Sequence, residues 1–325
     1  MTSLALRPLP QHPPAEAGVS AIVVSYQTGS CLWDCIESIM AEAAIDELIL
    51  VDNGNPVEVL NSLRWLAARE PRLRLVSGHG NVGFAGGCNR GAAMARGDRL
   101  LFLNPDLTLA PEAVSKLSAC LEAAPARRGP LVVGGRLLHP SGAEQRGCRR
   151  DAVTIWKALV SFSGLGRLER WHPLLRDPHR EHDPLPEGPA AVGAVSGAML
   201  MLTREDFQTL GGFDEGYFLH VEDLDLCARA YAAGGEVVFH PAAACTHIGG
   251  ASNASPLFVE QCKAKGFARY FKRFARSPAE RLIAALLEPA LGAIFTVRGA
   301  LKALLKPAAK EQRPAVSLGR NALRG

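Results

Sequence analysis

Short apolar runs alternate with helix-like segments through the first third of this 325-residue chain, and this alternation is the strongest constraint on its fold. The apolar runs are VSAIVVSY, DELILVDN, RLRLVSG and DRLLFLN. The segments between them, SCLWDCIESIMAEA, PVEVLNSLRWLAARE and GCNRGAAMARG, have helical periodicity. Since parallel strands need crossover connections, usually helices, the pattern predicts an α/β fold with a mostly parallel central sheet and helices on both faces.

Polar and glycine residues follow each apolar run. They are Ser25–Tyr26, Asp52–Gly54, Gly78–Asn81 and Asn104–Asp106. The carboxyl ends of parallel strands meet at one edge of a sheet, where open α/β sheets bind their ligands. The sequence therefore predicts a ligand site there, although ordinary turns are also rich in these residue types.

The segment GHGNVG, from Gly78 to Gly83, matches the G-x-G-x-x-G pattern of dinucleotide-binding proteins. It follows the third run rather than the first, and Asp98 begins a run where that pattern needs an acid at a strand end. An NAD-dependent oxidoreductase is therefore the less favoured interpretation. We interpret the glycines as a surface that a ligand approaches closely, beside the amides of Asn81 and Asn89.

Three acidic residues and one histidine are candidates for catalysis. Asp106 follows a strand-ending proline, and such a carboxylate can hold Mg²⁺ or Mn²⁺ together with substrate phosphates. Glu222 and Asp223 begin a helix, where either can act as a general base and Asp223 can equally be an N-cap. His247 precedes a glycine turn and is either structural or a ligand.

These acids are expected to share one cleft with a diphosphate. Two like charges about 4 Å apart repel by about 4 kcal/mol at an effective dielectric constant of about 20. A divalent cation would remove that conflict, so a metal-assisted site is predicted.

Five segments resemble, in order, the motifs of family 2 glycosyltransferases, and most closely the bacterial rhamnosyltransferase-like members. They are VVSYQTGSCLWDCIESI, LILVDNG, GNVGFAGGCNRGAAMARGDRLLFLNPD, GAMLMLTREDFQTLGGFDEGYFLHVEDLDLCARAYAAGG and THIGGAS. The resemblance covers Val19 to Ser252. It implies a Rossmann-like GT-A fold, a nucleotide-sugar donor of the dTDP or UDP type, a divalent metal, and inversion at the anomeric carbon.

The resemblance also implies roles for individual residues. The nucleotide-sugar-binding set is Ser25, Tyr26, Asp52, Asn53, Asn81, Gly83, Asn89 and Asn104. Asp106 would bind the metal, with His247 on the metal or a phosphate, and Asp223 would be the base with Glu222 as second choice. One departure is Asn104, which stands where the family's D-x-D element has its first acid, so the metal would lose a potential charged ligand.

The implied reaction is transfer of a hexosyl group, rhamnose by resemblance, to a hydroxyl of a cell-surface polysaccharide or lipid-linked glycan. A non-catalytic nucleotide-sugar-binding protein of the same fold is the alternative. The eight cysteines never form a C-x-x-C pair, which favours a reducing, cytoplasmic location.

The predicted organisation has three parts. Residues 1–17 are expected to form a flexible tail rather than a signal peptide. Residues 18–255 form the catalytic domain, in which 18–135 bind the donor, 136–189 form an irregular insert or lid, and 190–255 form the acceptor half. The insert contains His172, His179 and His182 at spacings that match no metal signature, which favours a solvated loop.

Residues 256–325 form a basic helical extension with 14 Lys/Arg and 4 Glu. Its apolar stretch from Leu282 to Val297 would reach about 24 Å as a helix, short of the roughly 30 Å hydrocarbon core. It is therefore expected to lie on an anionic membrane surface, held by basic residues and released by salt. Packing on the catalytic domain and a homodimer interface are equally open. Nucleic acid is not an expected partner, because no recognised module accompanies the charge.

Overall fold

The computed structural model describes residues 16–123 and 128–305. The predicted tail, apart from its last two residues, and residues 306–325 of the extension lie outside the described residues. The strands are β1 (Glu16–Ser25), β2 (Glu47–Asp52), β3 (Leu73–Val76), β4 (Gly97–Leu103), β5 (Leu107–Leu109), β6 (Leu131–Leu138), β7 (Arg149–Arg150), β8 (Ala190–Ala191), β9 (Ala194–Val195), β10 (Met199–Thr203) and β11 (Glu236–His247). The helices are α1 (Cys31–Ala41), α2 (Val57–Ala67), α3 (Gly83–Met94), α4 (Ala113–Glu122), α5 (Ile155–Ser163), α6 (Arg204–Thr209), α7 (Glu222–Ala232), α8 (Pro256–Phe274) and α9 (Pro278–Leu305).

The described residues form one nine-stranded sheet in the order β3-β2-β1-β4-β10-β6-β11-β5, with β8 paired to β11. Strands β3, β2, β1 and β4 are parallel, β10 is antiparallel to β4 and β6, and β6 is parallel to β11. Most strands therefore run in one direction, and the predicted α/β class with a mostly parallel sheet is confirmed. The core includes the central residues of β1, β2 and β4, which are completely buried.

Helix α3 begins at Gly83, four residues before the helix predicted from sequence, and it contains several glycines. A Cβ atom on Gly87 would lie 2.6 Å from Val24 Cγ1, and one on Gly91 would lie 2.4 Å from Ile22 Cγ2. These glycines allow α3 to lie directly on β1. Close packing on the strand thus outweighs the low helix propensity of glycine.

The segment predicted as an irregular insert, residues 136–189, is more ordered than expected. Its first three residues belong to β6, and it goes on through β7, α5 and two 3₁₀ turns. Ion pairs hold it together, including Arg149–Glu144 at 2.8 Å and Arg146–Asp177 at 3.0 Å. His179 contacts Asp177 through Nδ1 at 2.6 Å, an ordinary pair within a salt-bridged segment.

Helix α8 packs on the catalytic domain. Arg269 and Arg273 both form ion pairs with Asp214, at 2.8 and 2.5 Å, and Arg273 also reaches Asp225 at 3.1 Å. Of the alternatives left open by the sequence, packing is therefore correct for α8.

Helix α9 packs on α8 and is 28 residues long, about 42 Å at 1.5 Å per residue. The length argument made from Leu282 to Val297 was therefore wrong, because the helix continues on both sides of that stretch and includes Pro289. By length and composition, α9 is the one helix among the described residues that could cross a membrane. Only a small share of it is buried in the protein.

Candidate active site

The ends of β1 and β2 are joined through Asn55, a residue the sequence did not single out. The Asn55 amide donates to Asp52 Oδ1 at 2.7 Å and to Ser25 Oγ at 3.0 Å. The Tyr26 ring lies beside Gly54, where a Cβ atom would be 3.6 Å from the ring. In the described part of the chain, Asp52 Oδ2 has no hydrogen-bond partner, so it is available to a ligand.

The glycine loop before α3 is held by side-chain amides. Asn53 donates from Nδ2 to the carbonyl oxygen of Gly83 at 2.8 Å and places Oδ1 3.0 Å from His79 Nε2. Asn81 Oδ1 accepts from the backbone N–H of Gly83 at 3.0 Å. Gly83 has φ of 77°, and a Cβ atom there would lie 2.4 Å from the carbonyl oxygen of Phe218. The loop is thus fixed against the segment that leads into α7.

Asn89 has a structural task. Its Nδ2 donates to the carbonyl oxygen of Phe213 at 2.9 Å and to Glu215 at 3.0 Å, and its Oδ1 accepts from the N–H of Phe213 at 2.9 Å. The side chain is buried, and both ends of its amide are used. In the structure, Asn89 therefore holds the GGFDE turn.

Asn104, Asp106 and His247 meet where β4 ends and β11 ends. The His247 Nε2 atom lies 3.1 Å from Asp106 Oδ1 and 3.2 Å from Asn104 Nδ2. Asp106 Oδ2 also accepts from the backbone N–H of Ala251 at 3.3 Å. Asp106 and His247 are both buried, although they are 141 residues apart in the chain.

Gln145 sets the orientation of the His247 ring. Its Nε2 donates to the His247 carbonyl oxygen, which leaves its Oε1 as the acceptor 2.7 Å from His247 Nδ1. Nδ1 therefore carries a proton, and Nε2 faces the Asp106 carboxylate. At this distance, Nε2 and the carboxylate need a proton or a cation between them.

The donor set around Asp106 fits an oxygen- and nitrogen-coordinated divalent cation that shares its ligands with a substrate. Within residues 16–123 and 128–305, no three His, Cys, Asp or Glu side chains are arranged as a metal site. Asp106 and His247 would supply two ligands, and Mg²⁺ commonly takes the rest from water and phosphate. Burial opposes ionisation of Asp106, but the hydrogen bond and charge of His247 and the Ala251 amide hold its pKa below the ordinary value.

Asp223 lies close to the same edge, on the first turn of α7. Its Oδ2 forms an ion pair with Arg150 at 2.6 Å and accepts from the N–H of Gly197 at 3.1 Å. The next residue, Ala198, accepts from the Asn104 N–H at 2.9 Å, so two adjacent residues connect Asp223 to the end of β4. Burial opposes ionisation of Asp223, but Arg150 and the Gly197 amide hold its pKa below the ordinary value.

Glu222 differs from its neighbour. It is buried, and in the described structure its Oε2 has no hydrogen-bond partner. Burial, and then the adjacent charge of Asp223, raise its pKa to about 8. Glu222 therefore holds its proton more tightly than an ordinary glutamate does, which favours Asp223 as the base.

The backbone before these acids is strained. His220 and Val221 have φ of 67° and 74°, a left-handed conformation that a β-branched residue rarely adopts. Such strain persists where the surrounding structure enforces it, and it concentrates at functional sites.

Two of the three acids have a basic partner. Asp106 lies 3.1 Å from His247 and Asp223 lies 2.6 Å from Arg150, whereas Glu222 and Asp223 are neighbours whose negative charges oppose each other. The case for a cation at Asp106 rests on His247 Nε2, which faces the carboxylate.

A cavity of about 630 Å³ opens on the other side of the Arg150–Asp223 pair. Its wall includes five cations and two carboxylates, with Tyr231 and Phe239 as its aromatic residues. The charged residues are Arg149, Arg150, Lys157, Arg176, Arg180, Asp151 and Asp183. Each of the five cations is paired with a carboxylate, so the wall carries little net charge, and Arg150 belongs both to this wall and to the Asp223 site.

Comparison with known proteins identifies this arrangement. The sequence model of glycosyl transferase family 2 matches residues 20–159, which include β1 to β4 and Asp106. The chain contains a glycosyl transferase family 2 domain. A second model, the N-terminal domain of galactosyltransferase, matches residues 188–250, which include Asp223 and His247.

Curated relatives of this glycosyltransferase include rhamnosyltransferases. It is 26% identical over 239 residues to the N-acetylglucosaminyl-diphospho-decaprenol L-rhamnosyltransferase of Mycobacterium tuberculosis, covering 70% of this chain and 74% of the relative. It is 37% identical over 64 residues to the rhamnosyltransferase WbbL of Escherichia coli, covering 20% and 24%.

Solved structures show the fold of the glycosyltransferase to be GT-A. GalNAc-T7 with UDP, GalNAc and Mn²⁺ has a TM-score of 0.55 at 14% identity, covering 88% of this chain and 57% of that one. The mannosyltransferase PcManGT of Pyrobaculum calidifontis with GDP-Man and Mn²⁺ has a TM-score of 0.52 at 16% identity, covering 91% and 79%.

The raised pKa of Glu222 predicts a pH dependence of the stability of the glycosyltransferase. Between the ordinary glutamate pKa of 4.5 and the folded value of about 8, the folded state keeps a proton that the unfolded state has lost. The free energy of unfolding should therefore fall as pH rises through this window, by up to about 1.4 kcal/mol per pH unit.

Urea unfolding at several pH values tests this. Glu222→Gln should flatten the slope, and the matched change Glu58→Gln on the exposed face of α2 should leave it as in the wild type. Equal slopes for the wild type and Glu222→Gln would contradict the assignment of a protonated Glu222.

Proposed function

We propose that this enzyme transfers a hexosyl group, rhamnose in the first instance, from a dTDP- or UDP-sugar to a hydroxyl of a polysaccharide or lipid-linked glycan, with inversion. The observation that carries the proposal is the edge itself. The partly buried Asp223 accepts from the N–H of Gly197, and the next residue, Ala198, accepts from the N–H of Asn104. The Asn104 side chain in turn contacts His247 of the Asp106–His247 pair. The names of the relatives support rhamnose and a diphospho-lipid acceptor.

The donor would lie along the ends of β1, β2 and β4. Asp52, with its free Oδ2, would receive a hydrogen bond from the base, and Tyr26 offers an aromatic face beside Gly54. Asp106 and His247 would hold a divalent metal, with Asn104 beside the diphosphate. When bound, such an ion stabilises the negative charge that grows on the leaving nucleoside diphosphate.

Asp223 would act as the general base. The acceptor hydroxyl gives its proton to the Asp223 carboxylate as its oxygen attacks the anomeric carbon, and the bond from that carbon to the diphosphate oxygen breaks on the opposite side. One displacement of this kind inverts the anomeric configuration. Arg150 keeps the carboxylate ionised and oriented before the reaction and holds it in place afterwards.

The acceptor would enter through the cavity beside Arg150. Its arginine side chains would contact the diphosphate of a lipid-linked glycan in exchange for part of their carboxylate pairing, and Tyr231 and Phe239 offer surfaces for a sugar ring. Since one wall of the cavity belongs to Arg150, a bound acceptor would lie next to Asp223. We propose a cytoplasmic enzyme at the inner face of the plasma membrane, where such acceptors are available.

A thermal-shift screen of nucleotide sugars, each with and without Mn²⁺, tests the donor assignment. A dTDP- or UDP-sugar should raise the melting temperature, and Mn²⁺ should increase that rise. Slow release of nucleoside diphosphate from the same sugar would separate an enzyme from a non-catalytic binding protein. Stabilisation by NAD(H), with no response to any nucleotide sugar, would refute the proposal.

A further inference from the structure

Helix α9 is anchored to the protein by one face. Phe295 packs against Phe267 of α8 and Phe162 of α5, with ring centroids 6.1 and 5.3 Å apart. Gly299 lies against Leu257, which a Cβ atom would approach to 2.8 Å. Ala284 and Leu291 are buried on the same face.

The charged residues in the middle of α9 also lie on this anchored face. Glu288 pairs with Lys272 of α8, and Arg298 and Lys302 pair with Glu260 at 3.6 and 2.7 Å. At about 100° of rotation per residue, these three charges fall in the same sector as the buried residues. The opposite face of this part of α9 therefore carries no charged residue.

That opposite face is apolar and exposed. Its large side chains are between 46% and 82% exposed, and they are Leu282, Ile283, Leu286, Ile294, Val297, Leu301, Leu304 and Leu305. They extend for about 35 Å along the helix. An ordinary surface helix turns its charged face outward and its apolar stripe inward, so α9 has the reverse arrangement.

We propose that the outer face of α9 lies in a lipid bilayer, parallel to its surface and at the depth of the acyl-chain boundary. Protein interfaces contain about one hydrogen bond per 100–200 Å², and these polar contacts fix the orientation of the partner. The outer face offers only Thr296 for such contacts. Lipid chains need none, so the chemistry of the face suits lipid better than a second protein.

The helix lies in the plane of the membrane although it is long enough to cross it. Its anchored face is fixed to α8, whose basic residues pair with Glu260, Asp214 and Glu288. A spanning α9 would take these charged pairs into the hydrocarbon, at a large cost in free energy. An in-plane helix keeps them on the side of the protein.

Attachment by this face would be hydrophobic, which differs from the electrostatic attachment expected from the sequence. Six of the nine basic residues between 256 and 305 pair with carboxylates. In the described structure, Lys265, Arg276 and Arg281 alone among them have no carboxylate partner. Three cations add to binding on an anionic leaflet, but eight apolar side chains dominate it, so high salt should not release the protein.

The anchored helices connect this face to the reaction site. Helix α8 contacts the backbone of the strained segment before Asp223, because a Cβ atom on Gly266 would lie 3.2 Å from the carbonyl oxygen of His220. A lipid surface on α9 would therefore stand at a fixed position relative to the base. The proposed attachment does not depend on the proposed function. If the acceptor is lipid-linked, the attachment would bring the enzyme to the membrane that contains it.

Vesicle flotation with the full chain tests the proposal. The wild type should float with phosphatidylcholine–phosphatidylglycerol vesicles at about 0.1 M and about 1 M salt, where the Debye length falls from about 10 to about 3 Å. The double variant Leu286→Asp/Val297→Asp should lower the partition coefficient by at least about tenfold, since two charges then enter the apolar face. The control Val57→Asp/Trp65→Asp makes the same change on exposed apolar residues of α2 and should float like the wild type.

Each other outcome overturns the proposal. A wild type that stays with the soluble fraction, or floats only at low salt, excludes hydrophobic attachment. A dimer in sedimentation equilibrium that the double variant loses, without flotation, shows that a second copy covers the face. Nucleotide-sugar thermal shifts on the same samples report the donor site separately. A wild type that does not float but shows a normal thermal shift would therefore refute the lipid-binding face and leave the proposed function standing.

Discussion

Replacing Asp223 by asparagine is expected to lower the turnover of sugar transfer by about 10²- to 10⁴-fold, the range that general acid–base catalysis usually contributes. Asparagine keeps the shape of the side chain but cannot take the acceptor proton. The donor residues at the ends of β1, β2 and β4 are unchanged, so nucleotide-sugar affinity should stay close to that of the wild type. Steady-state kinetics and donor titration together measure this split.

The variant also leaves the partly buried Arg150 without its carboxylate. Breaking a fully buried pair typically costs about 3–5 kcal/mol of stability, so we expect a loss below that range. A second variant, Arg150→Met/Asp223→Asn, separates the two effects. It should regain much of the melting temperature lost by Asp223→Asn and none of the turnover. If Asp223→Asn retains most of its turnover while Glu222→Gln loses it, the base is Glu222 and the assignment made here is wrong.

The pattern of the sequence predicts most of the first half of the fold, because strand and helix periodicities differ and each of β1 to β4 is a short apolar run. It places the start of α3 wrongly because propensity disfavours a helix with glycines at 83, 86 and 87. Contact with β1 reverses that preference, and such contact is invisible in one segment alone. The sequence predicts residues 136–189 as irregular for a related reason. Ion pairs between residues that are separated in the chain order this segment, and a local pattern does not show them.

The candidate site divides in the same way. Asp106 and Asp223 could be selected because each carries charge at a structural boundary, a strand end or a helix start. Their partners could not, since Arg150 is 73 residues from Asp223 and Gln145 is 102 residues from His247. Without those partners, the sequence shows only the acids and their mutual repulsion. Nothing in the sequence around Arg150 indicates that its side chain pairs with a residue of α7.

Asp106→Asn is expected to remove the response to Mn²⁺ and to lower transfer by about 10²- to 10⁴-fold, because loss of a metal ligand removes several kcal/mol of charge stabilisation at the leaving diphosphate. The substitution keeps the size of the side chain and removes its charge. Mn²⁺ titration followed by electron paramagnetic resonance measures the metal affinity directly, independently of turnover. Asp98→Asn, at the opposite end of β4, is the matched control and should change neither quantity.

The variant Gln145→Leu tests the same metal site through the residue that orients His247. Gln145 fixes the His247 ring with Nε2 toward Asp106. Residues that orient a ligating histidine in this way typically contribute about 10- to 100-fold to metal affinity. The variant should therefore bind Mn²⁺ more weakly and recover transfer at saturating Mn²⁺, whereas Asp106→Asn should not recover. Unchanged Mn²⁺ affinity in both variants would place the metal elsewhere and leave the Asp106–His247 pair with a structural role only.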